Sequence, residues 1–370
     1  MRRPHASHCI DGRRRRLLPV AGQQVIGQCL IGGKGRRIVG GVGRLRVRRE
    51  AHDHHLRFRV DVEGLAVDAA RRECAMDDVW DAHPETPARL SAIIDHLRAQ
   101  GLDRSLVFHD APLATTEQLL RVHGADYLAR LKHALPEQGL AQLDSDTVMS
   151  PHTWQAALRA AGSGVLAVDL VMRGQAANAF CCVRPPGHHA GRDFAMGFCF
   201  LNNIAVAAAH ALAAHGLERV AIVDFDVHHG NGTEDCFADD ARVLMAGIFQ
   251  HPSFPYCGTA GAHPNMLNVA LPAGSGSDIF RQTVCEAWLP RLQAFAPQMV
   301  LISAGFDAHY EEDLGGMCLV EKDYAWVTEQ LLHIAAGSAE GRIVSMLEGG
   351  YVLPALARSV AAHLKALAGI

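Results

Sequence analysis

The hydrophobic positions of this chain fall into short, almost unbroken runs separated by longer Ala-rich segments. Four such runs occur, at residues 180–183, 220–223, 299–306 and 343–347. Apolar runs of four to eight residues are typical of strands that are buried on both faces of a parallel sheet. Segments of helical length and composition lie at 155–172 and 202–214, before and after the first run. This alternation predicts an α/β fold, with a mostly parallel central sheet and helices on both faces.

One large domain is predicted over residues 64–370. The chain has 370 residues and is 49% hydrophobic, which suffices for one large domain or two ordinary ones. No internal repeat and no long Pro- or Ser-rich linker interrupts this part of the sequence. Residues 1–63 differ, because they are rich in arginine, with four in succession at 13–16. We predict a disordered or spurious extension there; a basic nucleic-acid-binding arm is the alternative that the composition leaves open.

Composition narrows the compartment and the partners. Ten cysteines occur without regular Cys-x-x-Cys spacing, which is typical of a reduced, cytoplasmic protein rather than of a disulfide framework. No run of 18 or more apolar residues is present, so no membrane span is expected. The net charge is −4 despite the basic first 60 residues, so the remainder is acidic and suits a cationic substrate. The sequence leaves open whether copies of the chain form a homo-oligomer.

The richest polar segment directly follows the second apolar run. Residues 224–231 read Asp-Phe-Asp-Val-His-His-Gly-Asn. Open α/β sheets bind ligands at the carboxyl ends of their strands, so this segment lies where a site is expected. In extended backbone, residues i and i+2 point the same way, so Asp226 and His228 can converge on one point. A carboxylate oxygen and an imidazole nitrogen suit a divalent metal such as zinc.

Three further strand ends carry polar groups. The run at 299–306 ends in Asp307, which would give three protein ligands and leave one coordination position open for water, as in catalytic zinc sites. Two adjacent histidines, His188 and His189, follow a Pro-Pro-Gly turn after the run at 180–183. The last run leads into Glu-Gly-Gly and Tyr351, and the glycines free the backbone to deliver the phenol into the same crevice.

These four strand ends, taken in order, closely resemble the zinc-dependent histone deacetylase family. They read Pro-Pro-Gly-His-His, Asp-x-Asp-x-His-His-Gly-Asn-Gly, Ser-Ala-Gly-Phe-Asp and Glu-Gly-Gly-Tyr. The segment His-Pro-Glu-Thr-Pro-Ala-Arg-Leu at 83–90 is similar to the first helix of that family. The resemblance is nearest to the class II-like bacterial branch, which includes acetylpolyamine amidohydrolases, and runs from about Gly64 to the C-terminus. It implies an arginase-like, three-layer α/β/α fold.

The resemblance implies a role for each polar residue at the strand ends. The implied ligands of one zinc ion are Asp226, His228 and Asp307. The implied catalytic residues are the tandem histidines His188 and His189, their orienting partners Asp224 and Asn231, and the carbonyl-binding Tyr351. We expect His189 to be the general base, because its partner Asn231 is neutral and leaves its pKa low enough to accept a proton. His188 would be held more basic by Asp224 and act electrostatically, while Tyr351 would donate to the oxyanion.

The resemblance also implies substrate-binding positions. Gly197 and Phe198 match one wall of an acyl-lysine tunnel and Phe254 the other, across an apparent insertion at 256–257. Asp146 matches the rim aspartate that grips the substrate backbone. Leu314 stands seven residues after the last implied ligand, at a position where a glutamate favours polyamines in the family. A leucine there favours a neutral acyl amide on lysine. The acids at 311–313 could still supply an acidic gate. Gly247 replaces a serine that helps to bind a structural potassium ion in the family, so the sequence leaves that K⁺ open.

Several alternatives stay open. The primary prediction is a zinc-dependent deacylase of acyl-lysine in a protein or peptide. The close alternative is an acetylpolyamine or other small-molecule amidohydrolase; more distant ones are an idle acyl-lysine-binding protein and an arginase-like enzyme with two manganese ions. Asp224, Asp226 and Asp307 might also only cap helices. Four histidines in Ala/Leu-rich segments are expected to be structural: His210, His215, His333 and His363.

Overall fold

The structure, a computed structural model, describes residues 28–32, 83–259 and 263–370. Eight strands form its main sheet: β1 (Gln28–Gly32), β2 (Leu106–Asp110), β5 (Asn178–Cys182), β6 (Val220–Asp224), β7 (Val243–Gln250), β8 (Met266–Leu271), β9 (Met299–Ala304) and β10 (Ile343–Leu347). Their order is β2-β1-β5-β10-β9-β6-β7-β8. The six strands from β5 to β8 are parallel, whereas β1 pairs antiparallel with β2 and with β5. A two-stranded ribbon of β3 (Ala141–Gln142) and β4 (Val148–Met149) lies apart from this sheet.

Ten α-helices lie between and after the strands in the described residues. They are α1 (Ala88–Ala99), α2 (Thr116–Leu120), α3 (Ala125–His133), α4 (Thr153–Met172), α5 (Asn203–His215), α6 (Asn231–Phe237), α7 (Ser277–Thr283), α8 (Leu289–Phe295), α9 (Glu321–Ser338) and α10 (Leu353–Ala368). A π-helical turn, Val284–Trp288, joins α7 to α8, and a 3₁₀ turn, Leu102–Ser105, precedes β2.

Two hydrophobic cores lie on the two faces of the sheet. Strand alternation sends Val220 and Ile222 of β6 into the core beneath α4 and α5, while Ala221 and Val223 enter the core beneath α1, α9 and α10. Because both faces are covered, every residue of β6 is buried, which is why residues 220–223 form an unbroken apolar run before Asp224. The predicted α/β/α layering around a mostly parallel sheet is therefore confirmed.

Local sequence sets the ends of the helices that follow the site strands. The Asn202 side chain accepts a hydrogen bond from the Ala205 amide and caps the start of α5, and Gly216 ends that helix in the left-handed conformation. Helix α10 has a proline in its first turn and ends at Gly369, also left-handed. These signals fix where each helix begins relative to the strand end before it.

Helix α4 is the one helix of the described residues with the length and hydropathy of a membrane span. Of its apolar window, 61% is buried inside the domain, where it packs beside α5 and on β5. The buried ridge includes Gly162, at which a Cβ atom would lie 2.0 Å from the Pro112 carbonyl oxygen. The apolar character of α4 thus matches its place in a core.

The N-terminal segment contributes one strand to the described structure. Residues Gln28–Gly32 insert between β2 and β5, whereas the sequence predicted a disordered or spurious extension over 1–63. The sequence analysis did not predict this strand, because no polar motif follows residues 28–32. The remainder of 1–63 and the predicted domain boundary at residue 64 lie outside the described residues, so these predictions stay predictions.

Candidate active site

The three side chains expected to bind zinc meet at the carboxyl edge of the sheet. Asp226 and His228 follow β6, and Asp307 follows the neighbouring strand β9. The His228 Nδ1 atom lies 3.0 Å from Asp226 Oδ1 and 3.3 Å from Asp307 Oδ2. One ligand atom from each residue lies within 4.8 Å of the others, and both carboxylates are fully buried. The i, i+2 spacing and the adjacency of β6 and β9 together produce this cluster.

The donor set and its surroundings fit a zinc ion. The Gly349 amide donates to Asp226 Oδ2 (2.8 Å) and the Val227 amide to Asp307 Oδ1 (2.9 Å), which fixes both carboxylates. Asp307 Oδ2, which faces the imidazole, is buried without a hydrogen-bond partner among the described residues. Two buried carboxylates and one imidazole nitrogen around a single point would be costly without a cation, and they match the ligand types of zinc.

Two glycines allow the carboxylates to approach the backbone this closely. A Cβ atom on Gly305 would lie 2.0 Å from Asp226 Oδ2, and one on Gly349 would lie 1.9 Å from Asp307 Oδ2. Neither site has room for a side chain, so both positions require glycine for steric reasons. Gly349 in the Glu-Gly-Gly-Tyr segment therefore makes room for the predicted metal ligands and also shapes the backbone that leads to Tyr351.

The tandem histidines are oriented by the two predicted partners. His188 Nδ1 donates to Asp224 Oδ2 (2.9 Å) and His189 Nδ1 donates to Asn231 Oδ1 (2.7 Å). The two rings lie 4.0 Å apart, and the His189 ring is 5.9 Å from that of His228. With Nδ1 committed as a donor in each ring, Nε2 is the nitrogen available for proton exchange.

Electrostatics separates the two histidines. Burial disfavours the charged form of both, but for His188 the carboxylates of Asp226 and Asp224 outweigh burial and hold its pKa well above the usual range. For His189, burial and the positive charges of His188 and His228 hold the pKa well below the usual range. The difference between the two pKa values runs in the expected direction, but for His189 it comes from burial and the neighbouring imidazoles and not from Asn231, whose hydrogen bond raises the pKa.

Glu348 fixes the histidine turn, a role that the sequence analysis missed. Its Oε2 accepts from the Gly187 and His188 amides at 2.6 and 3.2 Å, and its Oε1 accepts from the Ser303 hydroxyl. Burial, only partly offset by His188, raises the pKa of Glu348 to about 7. The sequence did contain a signal for this role: Glu348 directly follows an apolar strand. A carboxylate at that position is buried and therefore needs hydrogen-bond donors from nearby loops.

Arg89 supports the tyrosine loop and was also missed. Its guanidinium lies over the Tyr351 ring, 4.7 Å from the centroid, and donates to the carbonyl oxygens of Gly350 (2.7 Å) and Glu348 (2.5 Å). The side chain is fully buried. A signal existed: Arg89 shares an i, i+4 face of α1 with Ile93, which puts its guanidinium on the apolar side of that helix.

The proposed tunnel residues surround the same centre. The Phe254 ring lies 5.1 Å from His189, and the Phe198 ring lies 5.8 Å from Tyr351 and 4.9 Å from His83. The insertion at 256–257 has therefore not displaced Phe254 from the site. Gly197 lies between the walls, and a Cβ atom there would approach His189 Cδ2 to 2.5 Å.

Phe198 adopts a left-handed backbone, with φ of 67°, directly after Gly197 at 55°. A non-glycine residue with positive φ is strained, and such strain is concentrated at functional sites. The loop is held by Thr147, whose hydroxyl accepts from the Phe198 amide (3.3 Å) and donates to Asp146 Oδ1 (3.1 Å). Burial and the nearby Asp144 raise the pKa of Asp146. The predicted rim aspartate is thus tied to the predicted tunnel wall.

In the loop after Asp307, the expected gate residue is exposed, whereas two of the neighbouring acids bond to other parts of the protein. Leu314 is 42% exposed. Glu312 is buried and accepts from the backbone amides of Tyr351 and Val352. Glu311 pairs with Arg358 of α10 at 2.5 Å. Two of the three acids that might have formed a gate therefore have other partners.

Gly247 lies opposite Asp224 in the pairing of β6 with β7. A Cβ atom at Gly247 would meet only ordinary van der Waals contacts, so the sheet does not demand glycine there. The position supplies no side-chain ligand, and no observation of the described residues supports a potassium ion. The potassium site stays an untested prediction.

A second cluster of metal-binding residue types joins α4 to α5. Asp169 Oδ1 accepts from His210 Nε2 (2.9 Å) and His215 Nε2 (2.7 Å). Arg121 lies 3.0 Å from His210 Nδ1, and since a guanidinium can only donate, that nitrogen accepts and Nε2 carries the proton. This tautomer opposes metal binding through Nε2, so the cluster is a hydrogen-bond network. His363, likewise buried, bonds to Thr328 and Ser345.

Comparisons with known proteins identify the family of this chain. A family model for the histone deacetylase domain matches residues 83–367. The histone deacetylase-like amidohydrolase of Pseudomonas aeruginosa is 41% identical over 275 residues, covering 72% of this chain and 71% of that protein. The human polyamine deacetylase HDAC10 is 38% identical over 311 residues, covering 79% of this chain and 46% of that protein. The solved HDA15 HD domain superposes with a TM-score of 0.73 at 35% identity, covering 78% of this chain and 83% of that structure.

The chain belongs to the histone deacetylase family. It is a hydrolase with deacetylase activity, which confirms the class of enzyme predicted from the four strand ends.

Proposed function

We propose that this protein removes acetyl groups from lysine side chains of a protein or peptide, using one zinc ion held by Asp226, His228 and Asp307. The observation that carries the proposal is the convergence of His228 Nδ1 with both carboxylates, 3.0 and 3.3 Å away, beside the adjacent rings of His188 and His189. Ligands, base and oxyanion donor all project from the carboxyl edge of one parallel sheet, where such folds bind substrates.

A bound zinc ion would polarise the amide carbonyl and lower the pKa of a coordinated water. His189 is the general base in this proposal. Because its Nδ1 donates to Asn231, its Nε2 lone pair can take a proton from the attacking water as the water oxygen bonds to the amide carbon. When the carbon–nitrogen bond breaks, the same Nε2 returns the proton to the leaving amine.

His188 and Tyr351 stabilise charge in the proposed mechanism. Asp224 and Asp226 favour the imidazolium form of His188, so its positive charge faces the developing oxyanion without taking part in proton transfer. Tyr351 donates a hydrogen bond from its phenol to that oxyanion and keeps its proton. Burial, only partly offset by Arg89, holds the pKa of Tyr351 well above its usual range, so the phenol remains a donor at neutral pH.

Acyl-lysine is the substrate class that the loop after Asp307 favours. Leu314 is apolar at the position that resembles the family's polyamine gate. Glu312 is occupied by the backbone of Tyr351 and Glu311 by Arg358, so they are poorly placed to bind a polyamine cation. The aromatic walls Phe198 and Phe254 suit the aliphatic part of a lysine side chain.

Acetylpolyamines are the second candidate substrate. The human relative named polyamine deacetylase HDAC10 supports this candidate, and the exposed Asp313 is the acid on this loop best placed to meet a cation.

We place the protein in the cytoplasm, because the seven cysteines of the described residues are all free.

A substrate panel on metal-defined protein tests the proposal. Turnover of an acetyl-lysine peptide should exceed that of acetylputrescine and acetylspermidine, and a hydroxamate should inhibit at one zinc per chain. Exclusive use of the polyamines would replace the first candidate by the second. Two manganese ions per chain would favour an arginase-like enzyme, and binding of acetyl-lysine without any turnover would favour an idle binding protein.

A further inference from the structure

Glu312 holds the backbone of Tyr351. Its Oε2 accepts from the Tyr351 amide at 2.8 Å and from the Val352 amide at 3.2 Å. The carboxylate is buried, with 7% of the residue exposed, and it reaches the tyrosine from the loop that also carries Asp307. The bond therefore joins a proposed metal-ligand loop to the proposed oxyanion donor.

The chain around Tyr351 needs such support. Tyr351 follows two glycines, and Gly350 has a φ of 115°, which a residue with a side chain rarely adopts. On the upstream side, Arg89 donates to the Gly350 carbonyl and the Gly349 amide donates to Asp226. On the downstream side, Glu312 accepts from the first backbone amides after the glycines. The tyrosine is thus held from both directions by buried charged side chains.

The simpler explanation is that Glu312 caps a helix. Val352 precedes α10, and a carboxylate at a helix N-terminus accepts hydrogen bonds from the free amides and interacts favourably with the positive end of the helix dipole. Capping accounts for the Val352 bond. The shorter bond is made to the Tyr351 amide itself, one residue before the cap. The two explanations differ in what they predict for a protein that lacks the Tyr351 hydroxyl.

We propose that Glu312 is a positioning residue for catalysis, fixing the Tyr351 phenol where the substrate carbonyl develops negative charge. This inference rests on the proposed function of Tyr351. Loss of the Glu312 carboxylate frees the backbone after two glycines, and a displacement of about 1 Å in a catalytic group costs about 100-fold in rate. Zinc binding is left intact, because none of the three ligands bonds to Glu312.

The test is a double-mutant cycle with Glu312→Ala and Tyr351→Phe, assayed on an acetyl-lysine peptide with the holoenzyme. Glu312→Ala should lower kcat by about 10- to 100-fold with KM little changed. In the Tyr351→Phe background, the same substitution should have almost no further effect, since the misplaced group has already been removed. Metal analysis should give the parent zinc content in every variant.

Matched variants separate positioning from folding. Glu312→Gln keeps an acceptor of the same length, so its activity should stay within about fivefold of the parent. Glu312→Asp keeps the charge but is one methylene too short, so it should lose activity while remaining folded, even if Glu312→Ala does not fold. Glu311→Ala removes the neighbouring carboxylate, which also bonds to α10 but not to Tyr351, and should keep full activity.

Equal losses in both backgrounds would overturn the inference, because Glu312 would then act through the fold or the metal. Full activity of Glu312→Ala and Glu312→Asp would overturn it as well. A parent protein that does not cleave acetyl-lysine, or a Tyr351→Phe variant as active as the parent, would instead refute the proposed function, and the inference with it.

Discussion

Replacing Gly349 with alanine should weaken metal binding by at least about 100-fold although no ligand is altered. The added Cβ atom would lie 1.9 Å from Asp307 Oδ2 and 2.6 Å from Asp226 Oδ2, the oxygens of two proposed ligands. Ordinary contacts with a Cβ atom begin near 3.4 Å, so the Asp307 carboxylate would have to withdraw by about 1.5 Å. Gly349 itself has no positive φ, so the effect is purely steric.

The magnitude follows from the tolerance of a zinc site. Ligand distances are set to within about 0.2 Å, far less than the displacement required here. Removing only a supporting partner of a ligand costs about 10- to 100-fold in metal affinity. We therefore expect Gly349→Ala to lose at least about 100-fold, which is about 2.8 kcal/mol at 1.4 kcal/mol per tenfold.

The assay is zinc stoichiometry by mass spectrometry, together with competition against a chelator and turnover of an acetyl-lysine peptide. Gly305→Ala should behave similarly, because its Cβ atom would lie 2.0 Å from Asp226 Oδ2. Gly247→Ala is the matched control, since it lies on a neighbouring strand beside Asp224 and meets nothing closer than 3.8 Å. Circular dichroism should show that all three variants are folded.

A folded Gly349→Ala protein with the parent's zinc affinity and turnover would contradict this prediction. Asp226 and Asp307 could not then bind the catalytic metal in the arrangement seen here. Loss of zinc by Gly247→Ala to the same extent would show that any added bulk near the site disturbs it, and the steric argument would fail.

Three further predictions concern other parts of the protein. Tyr351→Phe should lower kcat by about 100- to 1,000-fold, the cost of one oxyanion donor, with the zinc content unchanged; parent-like turnover would exclude that role. His215→Ala should leave the metal content at one ion per chain, and loss of an ion would show that the cluster with Asp169 binds metal after all. Glu85→Gln should lower the free energy of unfolding at neutral pH by about 1.5–3 kcal/mol, because Glu85 is buried and accepts two hydrogen bonds from Arg184. Burial raises the pKa of Glu85, but Arg184 lowers it below the usual range, so this stabilisation is present at neutral pH and is lost as the pH falls. The free energies of unfolding of the two proteins, measured by denaturant titration, should therefore converge at acidic pH. A difference that stays constant with pH would contradict the ion-pair explanation.

The apolar runs and the polar residues that follow them were enough to predict the central strands and the chemistry at the edge of the sheet. Apolar runs buried on both faces mark the central strands, because a parallel sheet between two helical layers excludes polar groups from its interior. A polar residue at the end of such a run must therefore lie at the ligand-binding edge. The i, i+2 spacing of Asp226 and His228 was sufficient to place them together, and the four strand ends in order were sufficient to indicate the family.

The way in which those groups are held depends on contacts between distant parts of the chain. Arg89 contacts the carbonyl of Gly350 across 261 positions of sequence, and Glu312 reaches Tyr351 across 39. Such contacts depend on the strand order, which puts β10 between β5 and β9 and which no local pattern specifies. The same is true of Gln28–Gly32, whose place in the sheet is set by pairing with β2 and β5 rather than by its own composition. Periodicity reports whether a residue is buried, whereas its partners are fixed by the packing of elements that are distant along the chain.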